Sequence, residues 1–123
     1  MPWPNAVMAD GSAVDLATVQ GAESRVAAKL AMAAPKGPIG VVTPDGSRLT
    51  FAWDSAVVGG LGLWLNYGGW PLAAGQHQVA LEPETSPDED LASAVATGNA
   101  LTLPPYGKVS WQVRLLLSPC GET

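Results

Sequence analysis

Two glutamates, Glu82 and Glu84, lie two residues apart at the end of the segment HQVALEPE, residues 77–84. Because side chains alternate along a strand, both carboxylates are predicted to share one face with Ala80, a small residue that leaves space beside them. A carboxylate at a strand end, in a partly apolar cleft, can act as a general base. Glu82 is therefore the leading candidate for a catalytic base, and Glu84, on the same face, is a candidate ligand contact. A pair of solvated charges at a strand end is the structural alternative.

The stretch GLGLWLNYGGWP, residues 60–71, supplies the other predicted ligand contacts. An aromatic face can bury the apolar C–H side of a sugar ring while polar side chains bond its hydroxyl groups. Asn66, Tyr67 and Trp70 are predicted to act in this way, with core packing as the alternative for the aromatic residues. His77, which begins the next predicted strand, is a further candidate contact or proton carrier.

Composition argues against several other kinds of site. The 123 residues contain one cysteine and one histidine, too few for a structural zinc site, and no phosphate-binding loop or dinucleotide fingerprint occurs. We predict no metal and no cofactor. The net charge of −5, without a basic cluster, argues against nucleic-acid and anionic membrane partners. No signal peptide and no run of membrane-span length are recognisable, which predicts a cytoplasmic protein.

Short strands and frequent turns predict a mainly β chain, a single domain over residues 1–123 built as an antiparallel β-sandwich. Residues 25–34, RVAAKLAMAA, favour a helix by alanine content, but their all-β context favours a strand, which we predict. Trp53 and Trp111 lie on regular apolar faces and are predicted to be core. The other predicted strands span residues 13–16, 39–43, 48–54, 61–67, 77–84, 101–103 and 108–117, with a hairpin turn at Asp45-Gly46.

One helix is predicted near residues 86–97. Ser86 is its expected N-cap, Pro87 occupies the first helical position, and Glu89 completes a capping box. Gly98 is the expected C-terminal stop. The predicted apolar stripe consists of Leu91, Ala94 and Val95.

The order of these segments resembles the C-terminal part of the aldose 1-epimerase (galactose mutarotase-like) superfamily. The matching stretches are WP near the start, GLGLWLNYGGWP, VALEPETSPDEDLASAV and a final strand ending SWQVRLLL. The resemblance implies part of a large antiparallel β-sandwich. Because a partial sandwich leaves an apolar sheet face exposed, it also predicts a homo-oligomer.

The resemblance further implies an activity. In that family a glutamate in an LE[PT] segment, followed by a Pro-Asp pair, removes the proton from the anomeric hydroxyl of an aldose. Here the pattern is Leu81-Glu82-Pro83 with Pro87-Asp88, so the role of base is carried over to Glu82. The family's general acid is a histidine well upstream, and His77 does not match its position.

The function expected from the resemblance is that of a carbohydrate-binding, aldose 1-epimerase-like protein acting on a small-molecule sugar. The alternative is a non-catalytic carbohydrate-binding or truncated remnant that needs a partner chain.

Overall fold

The computed structural model describes residues 4–119, which are 41% strand and 9% helix. The predicted fold class, mainly β with antiparallel sheets and one short α-helix, is confirmed for this part of the chain. The strands are β1 (Asn5–Val7), β2 (Ala13–Asp15), β3 (Val26–Ala33), β4 (Ile39–Val42), β5 (Arg48–Trp53), β6 (Gly60–Tyr67), β7 (His77–Glu84) and β8 (Val113–Ser118), and the helix is α1 (Leu91–Thr97).

The chain divides into two compact units. Within the described residues, unit 1 comprises residues 4–30 and 63–81, and unit 2 comprises residues 31–62 and 82–119. The three sheets have the strand orders β1-β2, β3-β6-β7 and β4-β5-β8. The single domain predicted from the length stays a prediction.

The alanine-rich segment forms strand β3, as predicted from its context. It lies beside β6, the middle strand of the second sheet, and β6 is nearly all buried. Sheet pairing and burial against β6 therefore outweigh the helix propensity of the alanines. The segment before β3 forms a single 3₁₀ turn at Ala22–Ser24.

Strand β6 is buried on both of its faces rather than on one. Leu61, Leu63, Leu65 and Tyr67 belong to the core, and Asn66 on the other face is also inaccessible to solvent. Gly68, with φ of 81°, ends the strand in a conformation that favours glycine. The backbone N–H of Gly68 donates to the Gln76 carbonyl just before β7.

In unit 2, β4 and β5 form the hairpin predicted from Asp45-Gly46. Ile39 lies opposite Phe51 and Val42 opposite Arg48, and Gly46 adopts a positive φ of 89°. Strand β8 pairs antiparallel with β5 from Arg48↔Ser118 to Trp53↔Val113.

The last strand is shorter than predicted, and the predicted strand at residues 101–103 is not formed. Pro104 and Pro105 follow that segment and lack the N–H that a sheet ladder needs. Trp111 precedes β8 and is 48% exposed, so its assignment to the core is wrong. Trp53 is half-buried.

The helix begins at Leu91, four residues after the predicted first helical position, Pro87. Its N-cap is Asp90, whose Oδ1 accepts the Ser93 N–H at 2.7 Å, because Ser86 Oγ instead donates to Asp88. Gly98 is the left-handed C-cap, as predicted. The predicted apolar stripe is correct for Ala94, which is buried. It is wrong for Leu91 and Val95, which are exposed.

Asp88 organises the segment between β7 and α1. Its Oδ2 accepts hydrogen bonds from Ser86 Oγ at 2.7 Å, Asn99 Nδ2 at 2.9 Å and Thr97 Oγ1 at 3.1 Å. These bonds, the Ser86 bond first, lower the pKa of Asp88 from its ordinary value of 3.8. The carboxylate thus ties the C-terminal end of α1 to the chain that leaves β7.

The lowered pKa predicts acid sensitivity of this segment. A carboxyl group with a depressed folded-state pKa stabilises the fold above its ordinary value, and that contribution is lost as pH falls through the folded-state pKa. We expect the urea midpoint of unfolding to fall below about pH 4 in the wild type and to fall less steeply in Asp88→Asn. In Ser86→Ala, which removes the main cause, NMR titration should place the Asp88 pKa closer to 3.8. An unchanged pKa in that variant would contradict the assignment.

Candidate functional site

The carboxylates of Glu82 and Glu84 converge over a glycine of the neighbouring strand. Both residues are half-buried near the end of β7. A β-carbon placed on Gly62 of β6 would lie 2.7 Å from Oε1 of Glu84 and 3.0 Å from Oε2 of Glu82. The two side chains therefore lie on one face of the sheet, as the alternation predicts, in space that any larger residue at position 62 would fill.

This arrangement concentrates negative charge and hydrogen-bond acceptors at one point in unit 2. Two ionised carboxylates at this range repel each other, and they do so more strongly when partly removed from water. Each can accept hydrogen bonds from hydroxyl groups, and a carboxylate within reach of a hydroxyl can take its proton. The pair is therefore suited to a neutral ligand that donates several hydroxyl protons.

Asn66 holds a turn in unit 1. It is fully buried, its Nδ2 donates to the Trp70 carbonyl, and its Oδ1 accepts the Trp70 N–H at 3.1 Å. The side chain thus bonds both backbone polar groups of Trp70 across the Gly68-Gly69 turn. These bonds give Asn66 a positioning role for the loop; the predicted contact with a ligand is not among them.

Trp70 is the exposed member of the predicted aromatic platform. Its indole is 59% exposed and packs edge-on against Trp64, with ring centroids 6.3 Å apart and an angle of 78° between the planes. An exposed aromatic ring on a backbone held at two points is a suitable surface for the apolar face of a sugar. Tyr67, the other aromatic residue predicted to contact a sugar, offers no such surface because it is only 2% exposed.

Tyr67 and His77 pack against each other in unit 1. Their ring centroids are 5.9 Å apart, and burial together with the charge of Asp15 raises the pKa of Tyr67. His77 is exposed, and its Nε2 lies 2.7 Å from the Gln20 carbonyl. Because a carbonyl only accepts, Nε2 carries the proton, and Nδ1 is the acceptor of the neutral ring.

The structure thus brings the predicted residues together in three pairs rather than in one site. Glu82 and Glu84 form a pair in unit 2. In unit 1, Asn66 bonds Trp70, and Tyr67 packs against His77 from the other face of β6. Among residues 4–119, no set of three or more His, Cys, Asp and Glu side chains is arranged to hold a metal ion. No helix within these residues has the length and apolar character that a membrane crossing requires.

Sequence reasoning missed a cleft in unit 2 that lies between the end of β5 and the start of β8. Polar residues and two tryptophans line it, among them Asp54, Trp111 and Arg114. The only signal in the sequence was the alternation of tryptophans with polar residues in FAWD and SWQVR. That pattern equally predicts a strand with one buried face.

Comparisons with protein-family models, with curated proteins and with solved structures gave no match for this chain. The resemblance to the aldose 1-epimerase superfamily therefore stays a prediction.

Because Asn66 is buried and bonds the backbone of Trp70, we expect its replacement to destabilise the fold more than replacement of a surface asparagine. In Asn66→Ala the backbone groups of Trp70 lose their partners, and we expect the free energy of unfolding to fall by about 1–3 kcal/mol. Urea unfolding followed by circular dichroism measures this change. Asn5→Ala, on the exposed strand β1, is the matched control and should stay within about 0.5 kcal/mol of wild type. Equal stabilities of the two variants would show that Asn66 does not hold the loop.

Proposed function

We propose that this chain is a carbohydrate-binding protein of the aldose 1-epimerase type that interconverts the α and β anomers of a free aldose. The observation that carries the proposal is the convergence of Glu82 and Glu84 over Gly62. The two carboxylates lie on one face of the sheet, are partly exposed to solvent, and have a glycine rather than a larger residue beneath them. They therefore supply a base and a hydroxyl-binding group side by side. The sequence resemblance independently assigns the base to Glu82.

In the proposed reaction Glu82 takes the proton from the anomeric hydroxyl of the bound sugar. The electron pair of that O–H bond forms the aldehyde, the bond from the anomeric carbon to the ring oxygen breaks, and the ring oxygen gains a proton. Rotation of the aldehyde and the reverse steps close the ring on its other face. Glu84 accepts a hydrogen bond from a neighbouring hydroxyl and so orients the sugar.

Solvent water is the proposed source of the proton for the ring oxygen. His77 is an odd number of residues from Glu82 along β7, so the regular alternation of a strand directs the two side chains to opposite faces. The Nε2–H of His77 is also engaged by the Gln20 carbonyl. Water can act here because Glu82 and Glu84 are only half-buried.

The second candidate function is carbohydrate binding without catalysis. It is favoured by a departure from the family pattern: His77 does not match the position of the family's acid, and water is a weaker acid than a positioned side chain. Under this alternative Glu82 and Glu84 bind hydroxyl groups but transfer no proton.

The prediction of a homo-oligomer gains support from strand β8. This strand lies at the edge of its sheet, and its side chains Leu115, Leu116 and Leu117 are exposed, the last by 77%. Exposed apolar edge strands favour association with another chain. The cytoplasmic location stays a prediction.

The two candidate functions differ in the effect of the protein on mutarotation. If Glu82 is the base, the wild type accelerates mutarotation of α-glucose or α-galactose in polarimetry. Glu82→Gln should then lower the protein-dependent rate by about 100-fold or more, because general-base catalysis typically contributes at least that factor. Glu89→Gln, an exposed glutamate near the start of α1, is the matched control and should keep the wild-type rate. A wild-type rate equal to that of buffer, with sugar binding intact, would leave the non-catalytic function in place.

The proposed site also predicts that Gly62 is required for activity more than for folding. A methyl group at this position would meet the two carboxylates, whose flexible ends can move aside, and would lie 3.3 Å from Cβ of Glu82. We therefore expect Gly62→Ala to remain folded by circular dichroism but to lose most of its mutarotation rate, or its sugar affinity if the protein only binds. Gly37→Ala places its methyl group in open space and is the matched control. Wild-type rate and affinity in Gly62→Ala would contradict this position for the sugar.

A further inference from the structure

A cleft of about 650 Å³ in unit 2 contains neither Glu82 nor Glu84 among its lining residues. Its volume falls within the range of about 300–1,000 Å³ that is usual for small-molecule sites. Besides Ala52, the residues that line it are Trp53, Asp54, Ser110, Trp111, Gln112 and Arg114.

The pairing of β5 with β8 builds the polar side of this cleft. Ala52 lies directly opposite Arg114 in the antiparallel register, and the Asp54 N–H donates to the Gln112 carbonyl at 3.3 Å. Ala52 and Arg114 share a face as cross-strand neighbours, and Asp54, Gln112 and Trp111 line the same cleft from just beyond the strand ends. Because alanine is short, the residue opposite Arg114 leaves space beside the guanidinium group.

The apolar contribution comes mainly from Trp111. Its indole is about half exposed although it is the largest side chain in its segment. An aromatic ring left open beside a cleft offers a flat apolar surface, which is the part of a binding site that receives the C–H face of a sugar. Trp53, which also lines the cleft, is half-buried.

The charges in the cleft select the class of ligand. Arg114 offers guanidinium N–H donors, Asp54 offers a carboxylate, and Ser110 and Gln112 can both donate and accept. Asp54 repels an anion and Arg114 repels a cation at this range, whereas a neutral polyhydroxylated molecule can bond all four residues. The volume exceeds what one sugar ring needs.

We propose that this cleft is a second binding site, for a neutral disaccharide or a longer saccharide segment. Trp111 stacks on the apolar face of a sugar ring, while Arg114, Gln112 and Asp54 bond its hydroxyl groups. The proposal does not depend on catalysis at Glu82, because the two sites share no residue.

Calorimetric titration with maltose, cellobiose and lactose tests the proposal. We expect at least one of the three to bind the wild type, and Trp111→Ala and Arg114→Gln each to weaken that binding by about tenfold or more. Both residues are exposed, so the variants should fold, which circular dichroism verifies. Arg48→Gln, in the same sheet but outside the cleft, is the matched control for the loss of charge and should bind as wild type.

Glu82→Gln separates this site from the proposed catalytic site. Disaccharide affinity that is unchanged in Glu82→Gln and reduced in Trp111→Ala supports the second site, whatever the result of the mutarotation assay. Disaccharide affinity that depends on Glu82 but not on Trp111 or Arg114 overturns it. Absence of binding for all three neutral disaccharides, or binding of glucuronate alone, overturns it as well.

Discussion

The close packing of strand β6 is the constraint on which the rest of the structure depends. This strand is the middle one of its sheet, and nearly every residue in it is buried. Glycine allows neighbouring chain segments to approach it more closely than any other residue would. A β-carbon on Gly60 would lie 2.0 Å from the Ser86 carbonyl oxygen, and one on Gly68 would lie 2.1 Å from the Ala22 carbonyl oxygen. At both points the contact is with backbone, which has little freedom to move away.

The same constraint creates the candidate catalytic site. At Gly62 the groups that approach β6 are side-chain carboxylates rather than backbone. The absence of a side chain at one position thus lets two negative charges lie on the sheet surface near apolar neighbours. Half-burial strengthens the interaction of such charges with each other and with a bound hydroxyl group. The conformation of β6 and the position of the two carboxylates therefore both depend on Gly62.

Side-chain hydrogen bonds decide the shape of the loops in each unit. In unit 1, Asn66 uses its amide to bond the backbone of Trp70, and this leaves the Trp70 indole on the surface. In unit 2, Asp88 accepts three side-chain hydrogen bonds and sets where the segment before α1 turns. Each of these residues satisfies polar groups that would otherwise compete with the regular structure around them. Asn66, which the sequence predicted as a ligand contact, thus forms hydrogen bonds that stabilise the fold.

Sequence patterns by themselves determined the strand content, the β4–β5 hairpin, the C-cap Gly98 and the shared face of Glu82 and Glu84. These features depend on alternation and turn chemistry, which act over a few residues. Only the tertiary structure decided the burial of Asn66, the exposure of Trp111, the late start of α1 and the position of Gly62 beneath the carboxylates. The first, second and last of these depend on which distant segment lies alongside. The late start of α1 instead follows from a nearby hydrogen bond, because Ser86 bonds Asp88 two residues on and leaves Asp90 to cap the helix. A local pattern is the same whether a tryptophan faces a core or a cleft, because the partner strand, and not the spacing of the residues, determines what covers it.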